Sequence, residues 1–102
     1  MVYQKLVRDK IPQLIQSQGE VAHIRILDQA EYTACLEDKL DEEVKEFHTG
    51  KNLEELADIL EVVFALSENL GYSREELLEC CREKREKRGG FRDRVFLIAK
   101  EG

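Results

Sequence analysis

The sequence predicts a mainly α-helical fold, an antiparallel helical bundle with a short two-stranded β pairing between its N- and C-terminal segments. Three observations predict it. A capping residue followed three positions later by Glu recurs at Asp28/Glu31, Asn52/Glu55 and Ser73/Glu76, the usual start signal of a helix. Between these signals apolar residues fall at helical spacing, and Gly50 and Gly71 supply stops. Two short runs, VAHIRIL at 21–27 and RVFLIAK at 94–100, instead read as strands.

Taken in order, the chain begins with an extended KLVRDKI segment at 5–11. Pro12, the only proline, suits the first turn of a short helix running to about Gln18, which Gly19 ends. The first strand follows, and then helices of about 29–49, 52–70 and 74–88. Their connections are short enough to make neighbours antiparallel. The second strand closes the chain, and the two strands are expected to pair. There is no internal repeat or linker, so residues 1–102 read as one domain.

A chain of 102 residues is near the size at which a single core is adequate but not generous, so a homodimer or higher homo-oligomer is expected. Charged residues make up 37% and the formal net charge is −6. That balance argues against general affinity for nucleic acid or an anionic membrane, while a local basic patch can still hold phosphate. No apolar run approaches the roughly 20 residues needed to span a bilayer. The opening MVYQKLVRDK lacks the apolar core of a signal peptide. A cytoplasmic location is the expectation. Cys35, Cys80 and Cys81 lack paired CxxC spacing and read as reduced, semi-buried residues. Neither GxxxxGK[ST], GxGxxG nor HExxH occurs, His23 and His48 have no partner for nucleophilic catalysis, and Ser67 lies on the packed side of its helix.

The chemistry-bearing stretch is KLDEEVKEFHTGKNLEELADIL at 39–60. Glu43 and Glu46 are three apart, as are Glu55 and Asp58, and residues three apart share a helix face. The apolar stripe of the first long helix is Tyr32, Leu36, Leu40, Val44 and Phe47. Glu43 falls inside its arc, Glu46 lies on its edge beside Lys39 and Cys35, and Glu42 faces away. On the second long helix Glu54, Glu61 and Glu68 form the solvent stripe, whereas Glu55 and Asp58 lie on the side carrying Ile59, Val62 and Leu66. Leu53, Leu56, Ala57, Leu60, Val63 and Phe64 fill the opposite face. This helix is therefore expected at the centre, with a second apolar face for another subunit.

A carboxylate on a core-facing stripe is paired, protonated or bound to metal, because desolvating it alone is expensive. Two readings stand at this point. Glu55 serves the Asn52 capping box while Glu46 and Asp58 pair with lysines, or the four acids share a metal site. Oxygen donors without His or Cys suit Mg²⁺ or Mn²⁺, and such ions support phosphoanhydride hydrolysis. Lys84 and Arg88 continue the stripe begun by Leu77 and Cys81, followed by GGFRDR. They are either phosphate contacts or part of a solvated run placed favourably at a helix C-terminus.

LDEEVKEF followed by LEELADIL resembles the ExxE and ExxD signature of the all-α nucleoside triphosphate pyrophosphatase superfamily, which includes MazG, dimeric dUTPase and phosphoribosyl-ATP pyrophosphatase. YQKLVRDKIPQLI at 3–15 and KREKRGGFRDRVFL at 84–97 are similar to the predicted house-cleaning branch of MazG-like proteins. The resemblance implies a helical, oligomeric, Mg²⁺-dependent nucleotide pyrophosphohydrolase that turns nucleoside triphosphate into monophosphate and pyrophosphate. It implies Glu43, Glu46, Glu55 and Asp58 as metal ligands and catalytic carboxylates, and Lys84 and Arg88 as substrate contacts. The alternatives are a phosphoribosyl-ATP pyrophosphatase-like enzyme and a non-catalytic helical module that binds nucleotide or protein. An antitoxin-like DNA binder is disfavoured by charge and by the lack of a basic recognition helix.

Overall fold

A computed structural model describes residues 4–102; residues 1–3, including the tyrosine that opens the YQKLVRDKIPQLI block, lie outside the described residues. The chain is mainly α-helical, with four helices in the order α1 (Ile11–Ser17), α2 (Gln29–Gly50), α3 (Leu53–Asn69) and α4 (Arg74–Arg88). Each boundary follows from local chemistry. Asp28 and Ser73 form reciprocal capping boxes with Glu31 and Glu76, satisfying amide groups that the first turn leaves without partners. The carboxylate of Glu31 also meets both guanidinium nitrogens of Arg25, at 3.0 and 2.7 Å. Bonding to Arg25, then to the Asp28 amide, holds its pKa down at about 2.

At the C-termini of α1 and α3, Gly19 (φ +84°) and Gly71 (φ +96°) adopt the left-handed conformation. In both, the glycine amide and the next amide bond back into the last turn: Gly19 to Gln16 and Glu20 to Ile15, Gly71 to Glu68 and Tyr72 to Ser67. This is the Schellman closure. Helix α2 ends differently, because Lys51 rather than Gly50 takes the left-handed conformation, at φ 51°.

Helices α2 and α3 pack along their lengths as an antiparallel hairpin, and α4 packs on α3 alone. The far end of the hairpin is tied by Gln29 to Asn69 at 2.6 Å and Asn69 to Thr33 at 3.0 Å. Leu36 of α2 and Val62 of α3 are buried in the hairpin, while Phe64 and Ser67 of α3 are buried toward the start of α4. The start of α4 is pinned where the Arg74 guanidinium sits 4.0 Å from the centre of the Phe64 ring, a cation–π contact.

Several expectations are corrected. No strand forms among the described residues, and 21–27 and 94–100 do not pair. Neither run forms regular structure, Arg94 takes a left-handed φ of 58°, and no backbone hydrogen bond joins the two runs. Most of their apolar side chains face solvent, with Ile26 87% and Phe96 86% exposed, while Ala22 and Leu27 are half-buried. Alternation alone does not make a strand, because pairing needs a partner edge that this chain does not bring alongside. From Leu78 onward every residue of α4 is exposed. Cys81, Lys84 and Arg88 therefore continue no core-facing stripe, and Cys80 and Cys81 are exposed rather than semi-buried, whereas Cys35 is half-buried. Val44 is likewise exposed at 36%, which leaves the end of the α2 stripe open.

Asp28→Ala removes one complete capping box and is expected to lower stability by about 1 kcal/mol, read as a shift in the urea midpoint at unchanged slope.

Candidate metal centre

The hairpin closes through only two residues, Lys51 and Asn52. That short link places the last turns of α2 against the first turns of α3. Glu43, Glu46, Glu55 and Asp58 each offer a carboxylate oxygen there, all within 4.8 Å of one another. The structure thus brings together the two acidic pairs that helical spacing had placed off the solvent faces. Glu43 is buried at 6% exposure, Glu55 and Asp58 are half-buried, and Glu46 is the open side. Like charges at this separation repel by roughly 3–4 kcal/mol per pair at an effective dielectric near 20. The arrangement needs cations.

The chain supplies two. Lys39 Nζ lies 3.3 Å from Glu43 Oε1 and 3.4 Å from Glu42 Oε2. Arg8 reaches in from the segment before α1 and donates to Asp58 Oδ1 at 2.6 Å. The quartet thus has fewer cations than carboxylates, and one of them, Lys39, is shared with Glu42. Glu46 and Glu55 form no ion pair among the described residues. Glu43 Oε2 and Glu55 Oε2 are buried without any hydrogen-bond partner. Burial pushes the Glu43 carboxyl above its usual range, contact with Glu46 adds to the rise, and Lys39 opposes it.

The second helix start explains how Glu55 becomes available. The Asn52 side chain accepts from the Glu55 amide at 3.0 Å, as a capping residue should. The reciprocal half, formed by Glu31 and Glu76 at the other two helix starts, is not made by Glu55. Its carboxylate joins the quartet instead. So the capping-box explanation accounts for the backbone bond but not for the acid.

Gly50 makes room for that side chain. A Cβ on Gly50 would stand 3.1 Å from Glu55 Cγ and 3.2 Å from Glu55 Oε1, tighter than ordinary van der Waals contact. The glycine is there for close approach, while the left-handed turn falls on Lys51.

The donor set fits a hard divalent cation. All donors are carboxylate oxygens from two rigid helices, two of those oxygens are orphaned and buried, and the residual charge is opposite in sign. Glu43, Glu46, Glu55 and Asp58 could together hold such an ion.

Arg8 is the functional neighbour that the residue-by-residue reading missed. It lies 50 positions from Asp58, so no helical spacing links them. The available signal was a cation in the extended KLVRDKI segment. Glu42, read as facing away, is half-buried and shares Lys39. Lys84 and Arg88 are exposed on α4 and form no ion pair with the quartet. His23 and His48 are exposed.

A 46-residue stretch is 55% identical to an uncharacterized protein of Mycolicibacterium smegmatis, covering 45% of this chain and 47% of that protein. The match thus spans about half the length of the curated relative. No family model matches the chain, and no solved structure matches it.

Two outcomes are expected of the site itself. With chelator present, Glu43→Gln raises the midpoint of thermal unfolding at pH 7–8 by roughly 2–5 °C, because the neutral amide removes the desolvated charge while Lys39 keeps Glu42. A carboxyl whose pKa rises on folding holds its proton longer in the folded chain. Stability is therefore lost as pH rises from the unfolded value through the raised folded one. The advantage of the variant accordingly vanishes below about pH 4.5, which paired melts across pH will read. Gly50→Ala displaces the Glu55 carboxylate and weakens Mn²⁺ binding on the order of tenfold, measured by calorimetry, with little change in helix content by circular dichroism.

Proposed function

We propose that the chain is an Mg²⁺-dependent nucleoside triphosphate pyrophosphohydrolase, hydrolysing canonical or non-canonical nucleotides to monophosphate and pyrophosphate in the cytoplasm. The observation that carries the reading is the pair of buried, partnerless oxygens, Glu43 Oε2 and Glu55 Oε2, within a four-carboxylate cluster. The resemblance of the three sequence blocks to MazG-like proteins supplies the reaction class.

Glu43, Glu46, Glu55 and Asp58 would hold a divalent cation, which would supply Lewis-acid stabilisation of phosphate charge and a more acidic water. The protein's own contributions are positional. The α2–α3 packing fixes two carboxylates on each side of the site, and Lys39 and Arg8 orient Glu43 and Asp58. Glu46, as the most open of the four, faces the side from which a nucleotide would enter. Lys84 and Arg88, exposed on the last turns of α4, are proposed to meet phosphate. A phosphoribosyl-ATP pyrophosphatase would use the same carboxylates with a different base and sugar pocket, and substrate profiling separates the two.

The ion pairs Lys39–Glu43 and Arg8–Asp58 favour a second reading, a non-catalytic helical binding module in which the acids are simply neutralised. Glu46 and Glu55, which lack such partners, weigh against it.

The test is pyrophosphate release from a panel of nucleoside triphosphates with and without Mg²⁺. Turnover is expected only with the metal, and Glu43→Gln or Asp58→Asn is expected to lower it by roughly 100-fold or more. No turnover of any nucleotide, together with Mn²⁺ binding that neither variant alters, would sink the proposal.

A further inference from the structure

The two cations at the acid quartet are held in different ways. Lys39 lies one turn from Glu43 on the same helix, its side chain is 18% exposed, and it is divided between Glu42 and Glu43 at 3.4 and 3.3 Å. With a packed stem and both partners on its own helix, it is a fixed counter-charge. Arg8 comes from another element, 50 residues away from its partner. Its side chain is 56% exposed, and one terminal nitrogen makes the single bond to Asp58 Oδ1 at 2.6 Å.

The backbone around Arg8 is nevertheless seated. Leu6 and Val7 before it are half-buried, and the Arg8 carbonyl accepts from the Ile11 amide at 3.0 Å, closing the turn that leads into α1. The guanidinium is thus delivered to the edge of the quartet while staying open to solvent. Its planar fork of N–H donors fits a carboxylate or a phosphate through two parallel bonds, and the one contact with Asp58 leaves that fork unfilled.

Exchange of this contact costs little. An ion pair whose side chains are 56% and 39% exposed is weakly held, and a divalent cation on the quartet would draw on the same Asp58 charge. A phosphate group beside such a cation offers Arg8 an acceptor that can take both arms of the fork. Lys84 and Arg88 start from a poorer position, because they are exposed on α4 and form no ion pair with the quartet.

We infer that Arg8, beyond orienting Asp58, is a phosphate-binding residue: its guanidinium exchanges Asp58 for the polyphosphate chain of the substrate when a divalent cation joins the quartet. This role rests on the proposed reading of the quartet as a cation site that handles phosphoanhydrides. The experiment is calorimetry on the full chain, first with Mn²⁺ alone and then with inorganic triphosphate at saturating Mn²⁺, with circular dichroism as the check of folding. Arg8→Gln is expected to weaken triphosphate binding by roughly tenfold or more. Its affinity for Mn²⁺ alone is expected to be undiminished, since a competing cation has been removed. Arg8→Lys keeps the charge without the fork and is expected to recover part of the loss. Lys10→Gln removes an exposed cation of the same segment and is expected to change neither affinity.

A fall in Mn²⁺ affinity with triphosphate binding unchanged would make Arg8 a support of Asp58 alone and overturns the inference. Equal losses of triphosphate binding in Arg8→Gln and Lys10→Gln, the mark of net charge, also overturn it, as does a wild type that binds no triphosphate in the presence of Mn²⁺. Triphosphate binding that Arg8→Gln alone loses, in a wild type that turns over no nucleotide, upholds the role of Arg8 and defeats only the catalytic reading.

Discussion

Mutual repulsion among Glu43, Glu46, Glu55 and Asp58, held within 4.8 Å across the α2–α3 contact, is the constraint around which the rest of the hairpin is arranged. Helices that merely needed to pack would place apolar residues at these positions. Instead the carboxylates are forced together by the same two-residue link that keeps α2 and α3 in register. Lys39 and Arg8 relieve part of the repulsion from opposite sides of the sequence. Even Gly50 belongs to this arrangement, since its missing side chain is the space that Glu55 occupies.

Stability has to come from elsewhere. Leu36, Val62 and Phe64 are the buried apolar side chains of the described residues, each worth about 1.5–3 kcal/mol. Caps at three helix starts and glycine closures at two ends add local support. That is a small core on which to place a desolvated Glu43. The electrostatic strain of the acid cluster and the uncovered apolar stripe of α3 are thus two sides of one economy: a helix that gives one face to carboxylates has less apolar surface with which to hold its own chain together.

Helical periodicity made the acid cluster legible because angle around a helix follows from position alone. Glu43 interrupts an apolar stripe, and Glu55 and Asp58 share a side with Val62 whatever the helix packs against. The caps were equally legible, since Asp28, Asn52 and Ser73 act within three residues of themselves. Arg8 was not, because its partner lies on another element and nothing local records the approach. The basic half of α4 misled for a related reason. Its stripe has the right angle to face a core, but angle does not say whether a core is present, and α4 leaves α3 after its first turns. The two alternating runs misled in the same way, since alternation does not supply a pairing partner.

Sequence by itself determined the long helices, their N-terminal caps and the angles at which Glu43, Glu55 and Asp58 sit, because each is governed by interactions within a few residues. Tertiary structure decided that the two acidic pairs converge, that Lys39 is spent on Glu43 and Glu42 while Arg8 takes Asp58, and that two carboxylate oxygens remain buried without partners. Those outcomes depend on distances between elements. Such distances are set by packing and by the length of the link between helices, and a one-dimensional pattern of residue types constrains them only in part.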